Sequence, residues 1–456
     1  MKKYFPFFLF LALSITAHAQ AEKWTSLFNG KNLEGWTQKG GQATYVVEKG
    51  AITGLSAPAT PNTFLCTRSE YDDFILELEL SADDGLNSGI QIRSQARAGV
   101  NEGRVSGWQV EIDPSPRAWS GGIYDESRRG WLYIPNINPE GKKAFRTGAQ
   151  WNRYRIEAIG NTIRTWVNDV PVAFLVDTLV EKGFIALQVH SIDKPELAGK
   201  KVRWRNIRIQ TGRQMHPRPW DQCPVQNLSL NNLCEQETRQ GWQLLFNGKD
   251  LSGWRSAFKT TAPTEGWSVQ AGLLKIQGSD GSESHSFGDI ITTEKFQAFE
   301  LAFDFKLTEG ANSGIKYFVD EKYDAKGGSA IGLEYQLLDD ERHPDAKQGA
   351  AGNRTLASLY DLSPSYKLEK RFQQPIGEWN SGRIVVRPDN TVQHWLNGFK
   401  VVEYERGSNI FAALVARSKY AVWEGFGMSE SGPILLQDHG NTVYFRNIKI
   451  RKLPAP

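Results

Sequence analysis

The sequence predicts an all-β protein built as two tandem sandwich units joined by a linker. Three observations predict it: a set of phrases that returns in the same order, strict alternation of apolar and polar residues, and a heavy load of turn and aromatic residues. "LFNGKNLEGW" at 27–36 returns as "LFNGKDLSGW" at 245–254, and "YDDFILELELSADDGLNSGIQIRS" at 71–94 returns as "FQAFELAFDFKLTEGANSGIKYFV" at 296–319. "GWQVEID" (107–113) answers "GLEYQLL" (332–338), and "WNRYRIEAIGNTIRTWVNDVPV" (151–172) answers "WNSGRIVVRPDNTVQHWLNGFKVV" (379–402). "GFIALQVH" with "RNIRI" answers "GPILLQDH" with "RNIKI". Order and period together indicate duplication of a domain of about 200 residues.

Within each unit Phe74, Leu76, Leu78 and Leu80, and likewise Phe299, Leu301, Phe303, Phe305 and Leu307, recur at every second position, the period of a half-buried strand. The chain has 43 Gly and 15 Trp, a composition that suits many short strands and a carbohydrate-facing surface. A two-sheet sandwich or jelly roll follows. Asn-Gly at 29–30 and 247–248 is expected to form a two-residue hairpin turn, with Trp36 and Trp254 closing the core behind it.

In chain order, residues 1–19 read as a signal peptide: Lys2 and Lys3, an apolar run from Phe5 to Ile15, then Ala17-His18-Ala19. They predict a periplasmic or secreted protein with no membrane span. Residues 24–211 form the first unit, 212–241 a linker and 242–452 the second unit. A formal charge of +3 gives no electrostatic reason to expect nucleic acid as a partner. In an oxidising compartment Cys223 and Cys234 suit a disulfide, while Cys66 reads as a small buried hydrophobe. No Cys/His spacing marks a zinc site.

Alternation also assigns faces. It leaves Gln91, Arg93, Gln109, Glu111, Gln188 and His190 on exposed strand faces of the first unit, and Lys316, Glu334, Gln336, Gln437 and His439 on those of the second. On one strand such residues usually mean a solvated face; their recurrence on three strands of both units favours a site. The loop 338–362 is the densest polar stretch, with Asp339, Asp340, Glu341, Arg342, His343, Asp345 and Arg354. Its carboxylates leave room for a divalent cation, although no EF-hand spacing is present and no cofactor is required. Trp395 and Trp166 are either sugar platforms or packing. Nucleophile elbows, phosphate loops and dinucleotide fingerprints are absent, as is the E-x-D-x-x-E strand of laminarinase-type sandwiches.

"LFNGKDLSGW", "NSGIKY", "LEYQLLDDERHPDA", "GNRTLASLYDL", "EWNSGRIVV", "HWLNG", "GPILLQDHG" and "FRNIKIR" together resemble the 3-keto-disaccharide hydrolase family. The resemblance covers the second unit nearly end to end and the first more loosely, where the His-Pro-Asp loop is replaced. It implies concanavalin-like jelly rolls and a substrate already oxidised to a ketone at carbon 3, hence some sugar oxidoreductase upstream. It also implies a reaction in which a base removes the acidified proton on carbon 2, the enolate expels the aglycone and water adds back. His439 or Glu334 would be the base, Lys316 or Arg354 the enolate stabiliser, with Glu111, His190 and Arg93 as counterparts. Gln336, Gln437, Trp395, Asp339, Arg342, His343, Gln109 and Gln188 would hold the sugar. The alternative is a lectin-like protein that binds glycans without a base.

Overall fold

Apolar residues at every second position place the sheets. The side chains of Phe299, Leu301, Phe303, Phe305 and Leu307 on the strand Phe299–Leu307 all enter one core, and those of Phe74, Leu76, Leu78 and Leu80 on Phe74–Ala82 enter another. Each contributes ~1.5–3 kcal/mol of burial, so a one-residue slip that turned the whole set outward is strongly disfavoured. The computed structural model describes residues 23–96, 99, 103–179, 181–279, 287–323, 330–367 and 372–454; the expected signal peptide lies outside the described residues.

Each unit stacks two antiparallel sheets over its own core. Among the described residues a nine-stranded sheet, one strand of which is the parallel Val225–Asn227 of the linker, and a seven-stranded sheet make the first unit, and an eight-stranded and a five-stranded sheet the second. In the larger sheets Phe74–Ala82 lies between Asn152–Ile159 and Lys201–Thr211, and Phe299–Leu307 lies between Asn380–Val386 and Val443–Lys452. The smaller sheet of the second unit runs Trp254–Ser256, Ile290–Thr292, Leu435–Leu436, Asn312–Asp320, Ile331–Leu338. That of the first runs Trp36–Gly40, Thr63–Tyr71, Gly183–Val189, Ser88–Gln95, Ser106–Ile112, and then adds the hairpin Ile123–Glu126/Gly130–Tyr133. Where the first unit has this hairpin, the second has the loop 339–362. The loop still borders the sheet edge, through a Tyr335–Leu359 bridge and a Tyr360 N–H donated to the Glu334 carbonyl at 3.1 Å.

The repeated opening phrase is structural, but it is not a hairpin. Thr25–Ser26 pairs with Lys201–Thr211 while Trp36–Gly40 pairs with Thr63–Tyr71, so the phrase crosses from one sheet to the other. Gly30 takes φ 77°, whereas the Asn29 side chain instead accepts the N–H groups of Lys31 and Asn32 at 2.8 and 3.0 Å. Side-chain capture of its own turn replaces the second positive φ. Trp36 and Trp254 are buried and donate their indole N–H to Leu27 and Leu245, nine residues back in each case. True two-residue turns occur at Asn168-Asp169 and Asn397-Gly398, where all four residues have positive φ.

The linker is docked rather than loose. Val225–Asn227 adds a parallel strand to Val170–Val176, and Trp220 stacks on Phe174 at 5.6 Å. At its other end Asn231 and Asn447 exchange backbone-to-side-chain hydrogen bonds of 2.7 and 2.8 Å, and Lys449 pairs with Glu237. The expected Cys223–Cys234 disulfide is absent: both carry free thiols. Cys223 sits among Phe174, Val176 and Val225, and burial pushes its thiol up to about 12, suppressing the thiolate that exchange needs. Cys66 is fully buried, as expected.

Candidate active site

One face of each smaller sheet packs on the core and the other gathers the polar residues. In the second unit, Lys316 and Glu334 are cross-strand partners, as are Gly314 and Gln336, and the Gln437 N–H is donated to the Gly314 carbonyl at 3.0 Å. Period two therefore sets Lys316, Glu334, Gln336 and Gln437 on one face. Gly314 makes the arrangement feasible: a Cβ there would stand 2.1 Å from Oε1 of Glu334, so the carboxylate leans over bare backbone. At the end of the same face the rings of His439 and His343 meet edge to face, 5.8 Å apart. Burial, and then the neighbouring His439, hold His343 below its ordinary pKa. Its Nδ1 accepts the Asp345 N–H at 3.2 Å, which leaves Nε2 protonated in the neutral ring. Nδ1 of His439 is buried with no hydrogen-bond partner, an atom expected to be met by water or ligand.

The loop 339–362 covers the Glu334 end. Arg354 donates to Asp361 at 2.8 Å and to Asp345 at 2.9 Å, and the Tyr360 hydroxyl donates to Asp345 at 2.8 Å. Burial, and then the Glu334 charge, raise the Tyr360 phenol above its ordinary value. Tyr360 and Lys419, whose ammonium stands 4.4 Å from the Tyr360 ring, belong to this end of the site and were not singled out from sequence, whereas Asp345 was read there as part of the polar loop. Tyr360 was legible as the position matching Tyr124 in "GGIYDE"; Lys419, from a remote turn, gave no signal.

In the first unit the same face is a chain of amides ending on a carboxylate. Gln91 and Gln188 donate to Oε1 of Gln109 at 2.7 and 2.9 Å, Gln109 donates to Oε2 of Glu111 at 3.0 Å, and Asn87 donates to Oε1. Arg117 stands 3.7 Å from that carboxylate and 2.7 Å from Asp113. Burial raises Glu111 to about 7 against the lowering pull of Asn87, Gln109 and Arg117. Beside it Glu126 accepts from Asn62 at 3.2 Å and is raised by burial, with Asn62 and His190 opposing. His190 donates Nδ1–H to the Ser191 carbonyl at 2.6 Å.

Four expectations need correction. The polar strand residues are not openly exposed: Gln91, Gln109, Glu111, Gln188, Lys316, Glu334, Gln336 and Gln437 are all buried, because long side chains on adjacent strands cover one another and loops cross the face. Arg93 is not a counterpart of Lys316. A bulge between Ile92 and Gln95, with Arg93 at φ 45°, redirects its guanidinium to Asp73, the Asp72 carbonyl and the Gly160 carbonyl. Trp395 lies on Thr391–Leu396 in the larger sheet, away from the site face, with its indole N–H donated to Gln393. Beside it His394 is buried in the core against Tyr317, and burial lowers it to about 4. Trp166 is packing too, under Arg164 and Arg218. Finally, Asp339 accepts the N–H groups of Gly310, Glu341 and Arg342 and an Arg342 guanidinium contact, so it shapes the loop rather than holding sugar; Arg342 itself reaches Asp339 and Glu309. Asp340 and Asp345 are likewise engaged, by Lys367 and by Arg354 with Tyr360. Among the described residues no group of three His, Cys, Asp or Glu side chains is arranged to hold a metal ion, and no helix is long and apolar enough to cross a membrane.

The 3-keto-alpha-glucoside-1,2-lyase-like domain model matches residues 23–210 and again 241–451. The chain belongs to that family, in two tandem copies. A 3-keto-disaccharide hydrolase of Bacteroides thetaiotaomicron is 36% identical over 233 residues, covering 47% of this chain and 79% of that protein. A structure from Parabacteroides distasonis, provisionally assigned as a glycosyl hydrolase, is 33% identical and spans 50% of this chain and 100% of its own, with a TM-score of 0.44. A second from the same organism is 27% identical over 46% of this chain and 99% of its own, with a TM-score of 0.34. As a member of the 3-keto-alpha-glucoside-1,2-lyase-like family, the chain is a double-domain protein in which each copy carries its own polar sheet face.

Proposed function

We propose that this protein cleaves 3-keto-glycosides, and that the smaller sheet of the second unit is the catalytic surface. One observation carries the reading: Glu334, Lys316, Gln336 and Gln437 share a face, with room for the carboxylate made by Gly314. Family membership and the 36% identical 3-keto-disaccharide hydrolase supply the substrate class.

The chemistry suits a site without a glycosidase carboxylate pair. The ketone at carbon 3 acidifies the hydrogen on carbon 2. Glu334 takes that proton, and the electrons of the C–H bond become an enolate that the Lys316 ammonium stabilises. The enolate closes a carbon 1–carbon 2 double bond as the carbon 1–oxygen bond breaks, and the Tyr360–Asp345 pair or His439 delivers a proton to the departing oxygen. Water then adds to carbon 1 while a proton returns to carbon 2. Without that last step the same elimination is a lyase reaction, so the family description and the name of the relative fit one route. Gln336 and Gln437 position the ring. Because a carbonyl must already be present, a sugar oxidoreductase acts upstream. Export to the periplasm or medium, proposed from residues 1–19, places the enzyme where glycans arrive.

The test is to incubate the purified protein with a 3-keto-glucoside and with its unoxidised parent. Aglycone release from the ketone alone, lowered about 100-fold or more by Glu334→Gln when the second unit is assayed with Glu111→Gln in the background, supports the reading. Equal binding of both compounds with no turnover would leave a lectin.

A further inference from the structure

The two smaller sheets share five strands, yet their acids stand at different rungs. Gly89 and Gly314 occupy the same position, as do Gln91 and Lys316. The next strand reads Gln109 then Glu111 in the first unit and Glu334 then Gln336 in the second. At the glycine, Gln109 fills the place of Glu334: a Cβ on Gly89 would stand 2.3 Å from its Cδ. The carboxylate has thus moved two residues, ~7 Å along the strand. A cation moves with it. Where Lys316 faces Glu334, the first unit has neutral Gln91, and Arg117 from the following loop stands 3.7 Å from Glu111.

The strand that carries the displaced acid is bordered by the hairpin Ile123–Glu126/Gly130–Tyr133, which the second unit lacks. Tyr124, cross-strand partner of Gln109, is close enough to Glu111 for that charge to raise its phenol after burial and Glu126. Trp131 packs edge-on against Tyr124 at 5.2 Å and Trp119 at 4.7 Å, and Trp119 reaches Phe399 of the second unit at 6.0 Å. Tyr124, Trp131, Trp379 and Phe399 line a cleft between the units, with a cavity of about 770 Å³. Aromatic rings with guanidinium groups over and beside them, Arg446 4.0 Å from the Trp379 ring and Arg117 4.3 Å from that of Trp119, make a lining suited to sugar rings. Two polar atoms of the Glu111 cluster, Oδ1 of Asn87 and Oε1 of Gln188, are buried without a hydrogen-bond partner, as expected where a ligand or water completes the site.

We infer that the first unit is a second catalytic centre, with Glu111 as base and Arg117 as enolate stabiliser, serving 3-keto-glycosides whose long glycan leaving group runs along the cleft between the units. This rests on the reading of the second unit above. Glu111 takes the proton from carbon 2, the enolate forms against Arg117, the carbon 1–oxygen bond breaks, and the leaving oxygen takes its proton from Tyr124 or from the protonated Glu111. Water restores the carbon 1 and carbon 2 substituents, so no oxidant or reductant is consumed. The charged and titratable groups around Glu111 are Arg117, Asp113 and Tyr124, with Tyr154 behind the strand in the core.

The experiment uses the full chain carrying Glu334→Gln together with Gly314→Ala to silence the second unit, and compares a 3-keto-disaccharide with a 3-keto-oligosaccharide. Expected are residual turnover of the oligosaccharide that rises through about pH 7, its loss by at least about tenfold when Glu111→Gln is added, and a KM raised several-fold by Trp379→Ala for the oligosaccharide only. A silent Glu334→Gln/Gly314→Ala protein beside an active wild type overturns the second centre, as does residual activity that survives the addition of Glu111→Gln. A Trp379→Ala protein with unchanged KM overturns the cleft. A wild type silent on every ketone sinks the parent reading first and this one with it.

Discussion

The two units share five strands of the smaller sheet and differ in which rung bears the acid. In the second, Glu334 sits over Gly314 with Lys316 opposite and a polar loop above; in the first, amides occupy those rungs and Glu111 stands farther along, beside Arg117 and an aromatic row. The lesson is that a sandwich scaffold fixes a ladder of outward positions, and chemistry can be shifted along it without disturbing the core. What moves as a block is the acid together with its cation.

Several measurements sharpen or break that contrast. Apart from changes to the proposed catalytic groups themselves, the largest expected effect is from Gly314→Ala, whose new methyl meets the Glu334 carboxylate at 2.1 Å. It should cut turnover by the second unit by about tenfold or more while leaving the melting temperature within a few degrees, since a displaced catalytic group costs rate rather than packing. The paired change Gly89→Ala meets an amide, and should have the smaller effect on rate; equal losses would erase the distinction between the units.

Next comes the pH dependence of stability. The buried Glu111 titrates near 7 in the folded chain against an ordinary value of 4.5. The folded state then binds the proton more tightly, so stability is highest below the unfolded value and falls as pH rises toward about 7, by on the order of 3 kcal/mol. Glu111→Gln should flatten that decline in denaturant titrations across this pH range. A wild type whose stability is level between pH 5 and 8 would place the carboxyl in a far wetter setting. The smallest effect belongs to Trp395→Ala: on the larger sheet, it should leave KM for a 3-keto-disaccharide unchanged within about twofold, and a large rise would return that indole to the site.

The repeat, the all-β class and the faces of most strands were legible because period two is a local property. Phe299 to Leu307 needs nothing but its own sequence to declare an inward side. The convergence of Glu334, Gln336, Lys316 and Gln437 was legible for the same reason, once two copies could be set side by side. Arg93 was misread because a bulge breaks the period, and nothing in "QIRSQ" announces a positive φ at an arginine. Trp395 was misread because alternation tells inward from outward but not which of two sheets a strand joins. Asp339 looked like a ligand because a carboxylate that organises backbone N–H groups and one that holds a sugar have the same composition. The role of "NG" at 29–30 depended on which strands its flanks pair with, a long-range fact. Lys419 reaches Tyr360 only through the folded chain.

The docked segment between the units has a kinetic consequence. Asn231 and Asn447 grip each other reciprocally, Lys449 holds Glu237, and Val225–Asn227 is sewn into the first unit, so the two polar faces are tethered at a set separation. Under the proposed function, a fragment released from one face meets the other at a local concentration of order millimolar, whatever its dilution outside. Rebinding would then compete with escape, and a branched or mixed glycan could be trimmed several times in a single encounter.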